Sequence, residues 1–282
     1  MNVLILVAII MGVSLENVFK KSFNVKTDGK GAYFFTAFSS LFAMLFFVFT
    51  TNKLSFDAKI LPYAIGFGVS YMTCGVCVVL ALSCGPLSLS SLILSYSLIL
   101  PTLYGLVFLH DPVGPMLVIG IVLLGISLLL VNKNTDTIRI SLKWGIFIFI
   151  SFVGNGMCSI VQKMQQDAFG GAYKNEFMII ALAMVTLGLG IASVLTERKN
   201  LFLYTKKGGF ISAACGIMNG MVNLFVMILS AKMPVSVMFP LISAGGLIIT
   251  VVFSQTLYKE KLSKGQLTGF LLGTLSVIFL NM

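Results

Sequence analysis

Residues 111–132, DPVGPMLVIGIVLLGISLLLVN, and residues 260–281, EKLSKGQLTGFLLGTLSVIFLN, are two apolar runs that resemble each other along their whole length. Each begins at an acidic residue and continues for about the 20 residues that a helix needs to cross a bilayer. A constant offset of 149 residues aligns Asp111 with Glu260, Gly120 with Gly269, Leu123 with Leu272, Ser127 with Ser276 and Asn132 with Asn281. Such a match predicts two copies of one structural unit.

Other parts of the chain repeat in the same order. Ser83 corresponds to Ser230 at an offset of 147, and Pro86 to Pro234 at 148; Val18-Phe19-Lys20 corresponds to Val161-Gln162-Lys163 at 143. We therefore divide the chain into repeats at 1–133 and 137–282. If each repeat has five spans, the two must lie in the membrane in opposite orientations, which predicts a shared site between them near the bilayer midplane.

Composition indicates a membrane protein. Hydrophobic residues make up 58% of the chain and charged residues 10%, against roughly 45–50% and about 25% in soluble proteins. The predicted fold class is an all-α polytopic membrane protein with ten transmembrane helices in two inverted five-helix repeats. The predicted spans are 2–20, 31–51, 58–82, 86–109, 114–132, 141–163, 174–196, 209–231, 234–257 and 265–281.

The net charge of +10 lies almost entirely in loops, so it does not indicate a nucleic-acid partner. Fourteen of the 19 Lys and Arg residues lie on one side of the predicted spans, including Lys26, Lys30, Arg198 and Lys199. The positive-inside rule then places both termini outside a cell membrane that the chain crosses several times.

Three motifs resemble the drug/metabolite transporter superfamily and its EamA-type ten-helix members. They are Ala81-Leu82-Ser83 before Pro86, Ile228-Leu229-Ser230 before Pro234, and the acidic turn Tyr258-Lys259-Glu260-Lys261-Leu262 before Gly269. Lys20 and Lys163 are similar to lysines common in that family. The resemblance implies a secondary transporter, an exporter or exchanger of small metabolites or drugs, with a cavity lined by the first, third, fourth, sixth, eighth and ninth spans.

Glu16 is the charge placed deepest within the predicted spans. A charge at the bilayer centre costs about 2.5–3.5 kcal/mol on insertion scales, so such residues usually face a cavity or a partner. Lys20 lies four residues on, where an ion pair along the helix is available. Two readings stay open: an interfacial ion pair with Lys20 snorkelling, or a site on Glu16 that couples transport to protons or another cation.

Lys20 and Lys163 form the symmetric pair of the sequence repeat and close their predicted spans. They are either interfacial anchors that snorkel, or groups at the two mouths of the cavity that attract an anionic substrate. The other candidates for the cavity are polar residues within spans, whose alternative role is hydrogen bonding between helices. They are Asn17, Tyr71, Tyr96, Asn155, Gln162, Asn219 and Asn223.

Small residues and prolines suggest how helices pack and bend. Gly265, Gly269 and Gly273 recur on one face of the last span, where they favour close packing within the chain or between chains, so a monomer and a homodimer both remain open. Gly154 and Gly156 flank Asn155 and predict a weakened helix there. Pro101 in the fourth span and Pro240 in the ninth predict interruptions in corresponding helices.

Other function classes are less consistent with the sequence. Cys74 and Cys77 lie within an apolar span with no histidine nearby, so we interpret the five cysteines as packing residues and expect no metal or cofactor. We expect no enzyme, because His110 and Asp111 share a short turn and no paired carboxylates occur in the spans. A flippase for a lipid-linked or amphipathic compound, and then a channel, remain the alternatives to a carrier of soluble metabolites.

Overall fold

The described residues of the computed structural model are 2–51, 54–97, 99–109, 114–133, 141–259 and 264–280. They form eleven α-helices joined by short connections, two of which are single 3-10 turns at Ala58–Ile60 and Arg198–Asn200. The helices are α1 (Asn2–Lys26), α2 (Ala32–Thr50), α3 (Leu61–Cys84), α4 (Leu87–Tyr96), α5 (Ile99–Phe108), α6 (Pro115–Lys133), α7 (Leu142–Ala168), α8 (Lys174–Glu197), α9 (Leu201–Ser230), α10 (Val235–Leu257) and α11 (Lys264–Leu280).

The helices are those of a membrane-embedded protein. Six helical segments of the described chain are long and apolar enough to cross a bilayer, one of them running through both α8 and α9, and α6, α10 and α11 contain shorter apolar stretches. Many large apolar side chains are exposed, including Phe49, Phe202 and Phe210, as expected of surfaces that face lipid rather than water. The prediction of an all-α membrane protein is therefore confirmed at this level.

Three predicted spans have different ends in the structure. Helix α1 continues six residues past Lys20, α7 continues five past Lys163, and α9 begins at Leu201 rather than at 209. The predicted spans stop at or just beyond charged residues, but a helix that leaves the hydrocarbon layer keeps its backbone hydrogen bonds, so a charge does not end it. Lys20 and Lys163 are thus inside their helices and do not close them.

The interruption predicted in the fourth span is present, and the one predicted in the ninth is not. The fourth span is divided into α4 and α5, with a turn at Ser97 and residue 98 outside the described residues. Helix α10 runs unbroken through Pro240. Pro101 is the third residue of α5, where a backbone N–H would have no partner within the helix, so proline is compatible with a helix start there. Pro240 is the sixth residue of α10, where it removes one backbone hydrogen bond without ending the helix.

Each helix pair that packs most extensively joins a helix of residues 1–133 to a helix of residues 137–282. Helix α1 packs along α9 and α7 packs along α3, while α2 packs on α8 and α6 on α11. Hydrogen bonds also join helix ends. The ammonium of Lys21 in α1 donates to the carbonyls of Leu82 (3.1 Å) and Gly85 (2.9 Å) at the end of α3. The amide of Asn175 in α8 donates to Thr51, which follows α2, at 3.0 Å.

Small residues permit the tightest of these contacts. Ser127 of α6 donates to the carbonyl of Gly269 in α11 at 2.5 Å, and a Cβ at Gly273 would lie 3.0 Å from the hydroxyls of Ser127 and Tyr96. Gly269 and Gly273 therefore face α6 within the same chain. Asp111, Glu260 and Asn281, which support the sequence repeat, lie outside the described residues.

The N-terminus of α2 is capped from another helix. Gly31 precedes α2 and has no side chain to cap it, so the carboxylate of Glu197 at the end of α8 accepts from the backbone N–H groups of Tyr33 (3.3 Å) and Phe34 (2.9 Å). The hydroxyl of Ser193 donates to the same carboxylate at 2.9 Å. The contact satisfies donors that a helix leaves unpaired at its start.

We expect Glu197→Ala to lower the free energy of unfolding by about 1–2 kcal/mol, the usual effect of losing an N-cap. Glu176→Ala is the matched control, because Glu176 is partly exposed and its hydrogen bonds with Ser55 are exposed. Substitutions at the surface usually change stability by about 0.5 kcal/mol or less. Denaturant titration in detergent, followed by the fluorescence of the single tryptophan Trp144, measures both. Equal losses in the two variants would contradict the capping role.

Candidate functional site

A cavity of about 170 Å³ lies between seven of the helices: α1, α2, α3, α4, α7, α9 and α10. Six of these correspond to the spans that the family resemblance implies for a cavity lining, and α2 is added to them. Of the ten residues predicted to line a site, eight do so: Glu16, Asn17, Lys20, Tyr71, Asn155, Gln162, Asn219 and Asn223. Tyr96 and Lys163 lie elsewhere.

Glu16 and Lys20 are the charged residues among the described side chains that line the cavity. The Lys20 ammonium donates to Glu16 Oε2 at 3.3 Å, and the side chains are 20% and 8% exposed respectively. The two residues are four apart on α1, which places them on one helix face. Away from water neither charge is stable alone, so each serves as the other's counter-ion.

Asn219 of α9 connects this ion pair to the other helices. Its Nδ2 donates to Glu16 Oε2 at 3.1 Å, and its Oδ1 accepts from Tyr71 Oη at 2.9 Å and from Asn223 Nδ2 at 3.0 Å. A carboxylate can only accept hydrogen bonds, so it fixes which end of the Asn219 amide faces Glu16. The oxygen end is then available to the hydroxyl of Tyr71 and the amide of Asn223.

The chain of hydrogen bonds continues to α7. Gln162 Nε2 donates to Asn223 Oδ1 at 2.7 Å, so α1, α3, α7 and α9 are joined by one polar network. In this network Gln162 donates to Asn223, Asn223 and Tyr71 donate to Asn219, and Asn219 donates to the carboxylate of Glu16. Buried polar groups that are paired in this way define a single arrangement of the helices around them.

Asn155 contacts the interruption between α4 and α5. Its Nδ2 donates to Ser97 Oγ at 2.6 Å, and Ser97 donates to the carbonyl of Leu94. The glycines beside Asn155 do not weaken α7, which is helical throughout. They allow close packing instead: a Cβ at Gly154 would lie 3.0 Å from Cys74, and one at Gly156 2.8 Å from the carbonyl of Ser97.

Tyr96 lies outside the cavity and joins packed helices. Its hydroxyl is 2.6 Å from Ser127 Oγ, and Ser127 uses its own proton to donate to Gly269. Tyr96 is therefore the donor in this pair, since a hydroxyl carries one proton. The residue is 3% exposed and ties α4 to α6 and α11, the packing role that the sequence left open for such polar residues.

Lys163 also lies outside the lining, and it pairs with Asp167 on its own helix at 2.7 Å. The cavity lining shows that the sequence alignment of Lys163 with Lys20 is wrong by one residue. The residues of α1 and α7 that line the cavity correspond at an offset of 142, not 143, so Lys20 is equivalent to Gln162. One residue along an α-helix is a rotation of about 100°, which turns Lys163 away from the cavity.

The same kind of correspondence holds for most of the lining. At an offset of 142, Val13, Glu16, Asn17 and Lys20 match Asn155, Cys158, Ser159 and Gln162. At an offset of 148, Phe67, Tyr71, Cys74, Gly75 and Val78 of α3 match Cys215, Asn219, Val222, Asn223 and Val226 of α9. Leu94 and Ser95 of α4 match Ile242 and Ser243 of α10 at the same offset. Each helix pair thus presents the same face to one space.

Sequence reasoning missed several lining residues. Phe35, Thr36 and Ser39 line the cavity from α2. Thr36 and Ser39 are polar residues within an apolar span, and this signal could have identified α2 as part of the lining. Cys74, Cys158 and Cys215 also line it, so these three cysteines lie at the cavity as well as in the packing we expected. All five cysteines are free thiols, and the part of the chain that the structure describes holds no group of three or more metal-ligating side chains.

Comparison with known proteins supports the fold and leaves the activity open. A solved crystal structure aligns with 97% of this chain and 98% of its own, with a TM-score of 0.69 and 11% sequence identity. At this identity the likeness shows a common fold over the full length of both chains. No family model and no curated protein matches the sequence.

Proposed function

We propose that this protein is a secondary active transporter that carries a small organic metabolite across the membrane by alternating access. The observation that carries the proposal is the constant-offset lining of the cavity by α1 with α7, α3 with α9 and α4 with α10. Equivalent faces of two repeats meet around one space when a two-fold axis passes through it. That arrangement places a substrate site at the interface of inverted repeats.

The packing of the helices supports the same proposal. Helix α1 of the first half packs along α9 of the second, and α7 of the second packs along α3 of the first. An exchange of partners of this kind is what two-fold related halves produce. Together with the sequence repeat, it favours the EamA-type arrangement of ten spans in two halves, 1–133 and 137–282. The excess of Lys and Arg on one side of the predicted spans is the separate reason for proposing that both termini lie outside.

Polar contacts between the halves are the ones that alternating access would break and remake. Glu16 of the first half accepts from Asn219 of the second, Tyr71 of the first donates to Asn219, and Ser243 of the second donates to the carbonyl of Ser95 at 2.5 Å. Each such contact in a membrane contributes about 0.6 kcal/mol on average. Contacts of this strength can exchange as the halves rock about the site.

The cavity fits a small solute with both polar and aromatic parts. Its volume of about 170 Å³ slightly exceeds the roughly 150 Å³ of an engineered protein cavity that binds benzene. Amide side chains and the Tyr71 hydroxyl supply hydrogen bonds, while Phe35, Phe67 and Phe239 supply apolar walls. A cargo of one ring or a short polar chain matches this space, whereas a long acyl chain does not.

Counterflow in proteoliposomes tests the proposal. Vesicles loaded with unlabelled compound and diluted into labelled compound accumulate label transiently only when a carrier exchanges one molecule for another. The compounds are amino acids, nucleobases, nucleosides and single-ring amines and alcohols, chosen first by thermal shift, since a ligand of the folded state raises stability by mass action. Counterflow that saturates supports a carrier, and flux that stays linear with concentration contradicts it in favour of a channel.

A flippase is the outcome to expect if no soluble compound shows counterflow and a fluorescent lipid changes leaflet only in vesicles that contain the protein.

Coupling to protons is proposed for Glu16, because it is the one carboxylate among the described lining residues. An inward proton gradient should then drive accumulation of cargo in the wild-type protein. Glu16→Gln, which cannot release a proton, should still exchange cargo but no longer respond to the gradient.

We expect Asn219→Ala to lower the flux of subsaturating cargo about tenfold, because Glu16, Tyr71 and Asn223 each lose a partner and a loss of about 1.4 kcal/mol is tenfold. Asn175→Ala is the matched control: this asparagine bonds to Thr51 outside the cavity, so flux per folded molecule should stay within about twofold of wild type. The readout is initial counterflow normalised to protein in the vesicles. Equal losses in the two variants would argue against a site at Asn219.

A further inference from the structure

The ion pair of α1 has no charged equivalent in the second half. At the offset of 142 that relates the two lining faces, Glu16 corresponds to Cys158 and Lys20 to Gln162. Both charges of the described lining therefore come from one helix and lie against one wall of the cavity. The two charges are opposite in sign and 3.3 Å apart, so the described lining of the cavity carries no net charge.

This neutrality restricts the charge of the cargo. Lys20 and Asn219 both donate to Glu16 Oε2. A cation that binds Glu16 therefore either displaces the Lys20 ammonium, which then lacks a partner, or lies beside it as a like charge. An anion that binds Lys20 has the same effect on Glu16. Removing one partner from a buried pair is strongly unfavourable because the other charge stays unpaired. An uncharged cargo, or a zwitterion that pairs with both groups at once, leaves no charge unpaired.

We propose that Lys20 is the specificity-determining residue of the cavity: it is a built-in counter-ion of Glu16 that excludes cargo of single charge and selects electroneutral solutes. This inference rests on the proposed function and adds to it the charge class of the cargo. Lys20 contacts Glu16 directly, so it differs from an interfacial lysine whose charge extends into water. Lys163 provides the comparison, since its ion pair with Asp167 involves a lysine outside the lining.

Three probes that share one phenyl ring separate the charge classes. Phenethylamine is a cation at neutral pH, phenylacetate is an anion and phenylethanol is neutral. Binding is measured by thermal shift of the purified protein in detergent, using wild type, Lys20→Gln, Glu16→Gln and Lys163→Gln. Lys20→Gln places on α1 the residue that the equivalent position of α7 carries, and it retains an amide that can donate to Glu16.

We expect apparent affinity for phenethylamine to rise about tenfold in Lys20→Gln, and affinity for phenylacetate to rise about tenfold in Glu16→Gln. Phenylethanol carries no charge and is the reference within each variant, so the quantity compared is the ratio of charged-probe affinity to phenylethanol affinity. Lys163→Gln should match wild type with all three probes, because Lys163 lies outside the lining. The Glu16→Gln/Lys20→Gln double variant should lose both gains. If Lys20→Gln does not fold, Glu16→Gln still tests the exchange of charge class from the other side of the pair.

Two results would overturn the inference. One is tight binding of phenethylamine or phenylacetate by the wild-type protein, equal to that of the variants. The other is a gain for phenethylamine in Lys163→Gln as large as in Lys20→Gln, which would mark a surface effect. Failure of the proposed function is a separate result: it is the absence of counterflow for every compound, and it does not alter which charge class the purified protein binds.

Discussion

Glu16→Ala should lower the free energy of unfolding by about 3 kcal/mol, the lower end of the range for breaking a buried ion pair. The substitution leaves the Lys20 ammonium without its partner, and the side chain of Lys20 is only 20% exposed. It also removes the acceptor that orients the amide of Asn219. The measurement is reversible unfolding in mixed detergent micelles, followed by Trp144, which is 4% exposed in the folded protein.

The double variant distinguishes the ion pair from simple loss of packing. Glu16→Ala/Lys20→Ala has no unpaired charge, so we expect it to be more stable than Glu16→Ala alone, although it has lost more atoms. A coupling of about 0.5–3 kcal/mol between the two substitutions is the range seen for residues in contact. Losses that simply add would mean that water reaches both groups and that the pair contributes little.

Gly216→Ala is the second substitution for which we expect a large effect, a loss of about 3 kcal/mol from overpacking. A Cβ at Gly216 would collide with the backbone carbonyl oxygen of Ser39 in α2 and would lie 2.8 Å from the Cβ of Phe42. None of these atoms can be moved by rotating a side chain, so α9 and α2 would have to separate. Small residues at such crossings let membrane helices approach closely.

Gly190→Ala provides the control for helix propensity. Gly190 is also within a helix, α8, and a Cβ there would meet no atom within 4 Å. Alanine is favoured over glycine in a helix by about 0.8–1.0 kcal/mol, so this variant should be unchanged or slightly more stable. Thermal unfolding of the two variants in the same detergent decides the matter. Destabilisation of both would show that the glycines act through the backbone rather than through contact between helices.

Gly220 offers a graded comparison on the same face of α9. A Cβ there would lie 2.8 and 2.9 Å from ring atoms of Phe46, which can rotate, and 3.0 Å from its Cβ, which cannot. The neighbours of Gly216 are backbone and Cβ atoms only, so the expected loss at Gly220 is the smaller of the two. The difference between the two sites is a property of the packing. Nothing in the spacing of Gly216 and Gly220 along the sequence distinguishes them.

Much of the candidate site could be predicted from the sequence because polar residues are rare inside apolar spans. Eight of ten predicted residues line the cavity, since a polar group at membrane depth needs a partner or a cavity. Tyr96 shows where this reasoning stops: its partner Ser127 lies on another helix. A residue that bonds between helices and one that lines a cavity look alike in one dimension.

The sequence predicts that the two halves repeat, but it does not show which residues of the two halves occupy corresponding places around the cavity. Matching Lys20 with Lys163 gave an offset of 143 residues, which is natural when identical residues are aligned. The lining faces correspond at 142, which matches Lys20 with Gln162. A shift of one residue turns a helical side chain by about 100°, so this single step separates a charged pair across the cavity from an ion pair on one wall.

The sequence by itself determined that the chain is an all-α membrane protein and which stretches form its long apolar helices, to within several residues at their ends. These properties follow from hydrophobic length and local periodicity, which depend only on residues close together in the chain. The tertiary structure alone decided that Glu16 and Lys20 share the cavity with Asn219 and Gln162, that Lys163 does not, and that α2 contributes to the lining. Those facts depend on how helices far apart in sequence rotate and approach one another, and the contacts that set these rotations, such as Gly216 against Ser39, form only when the chain is folded.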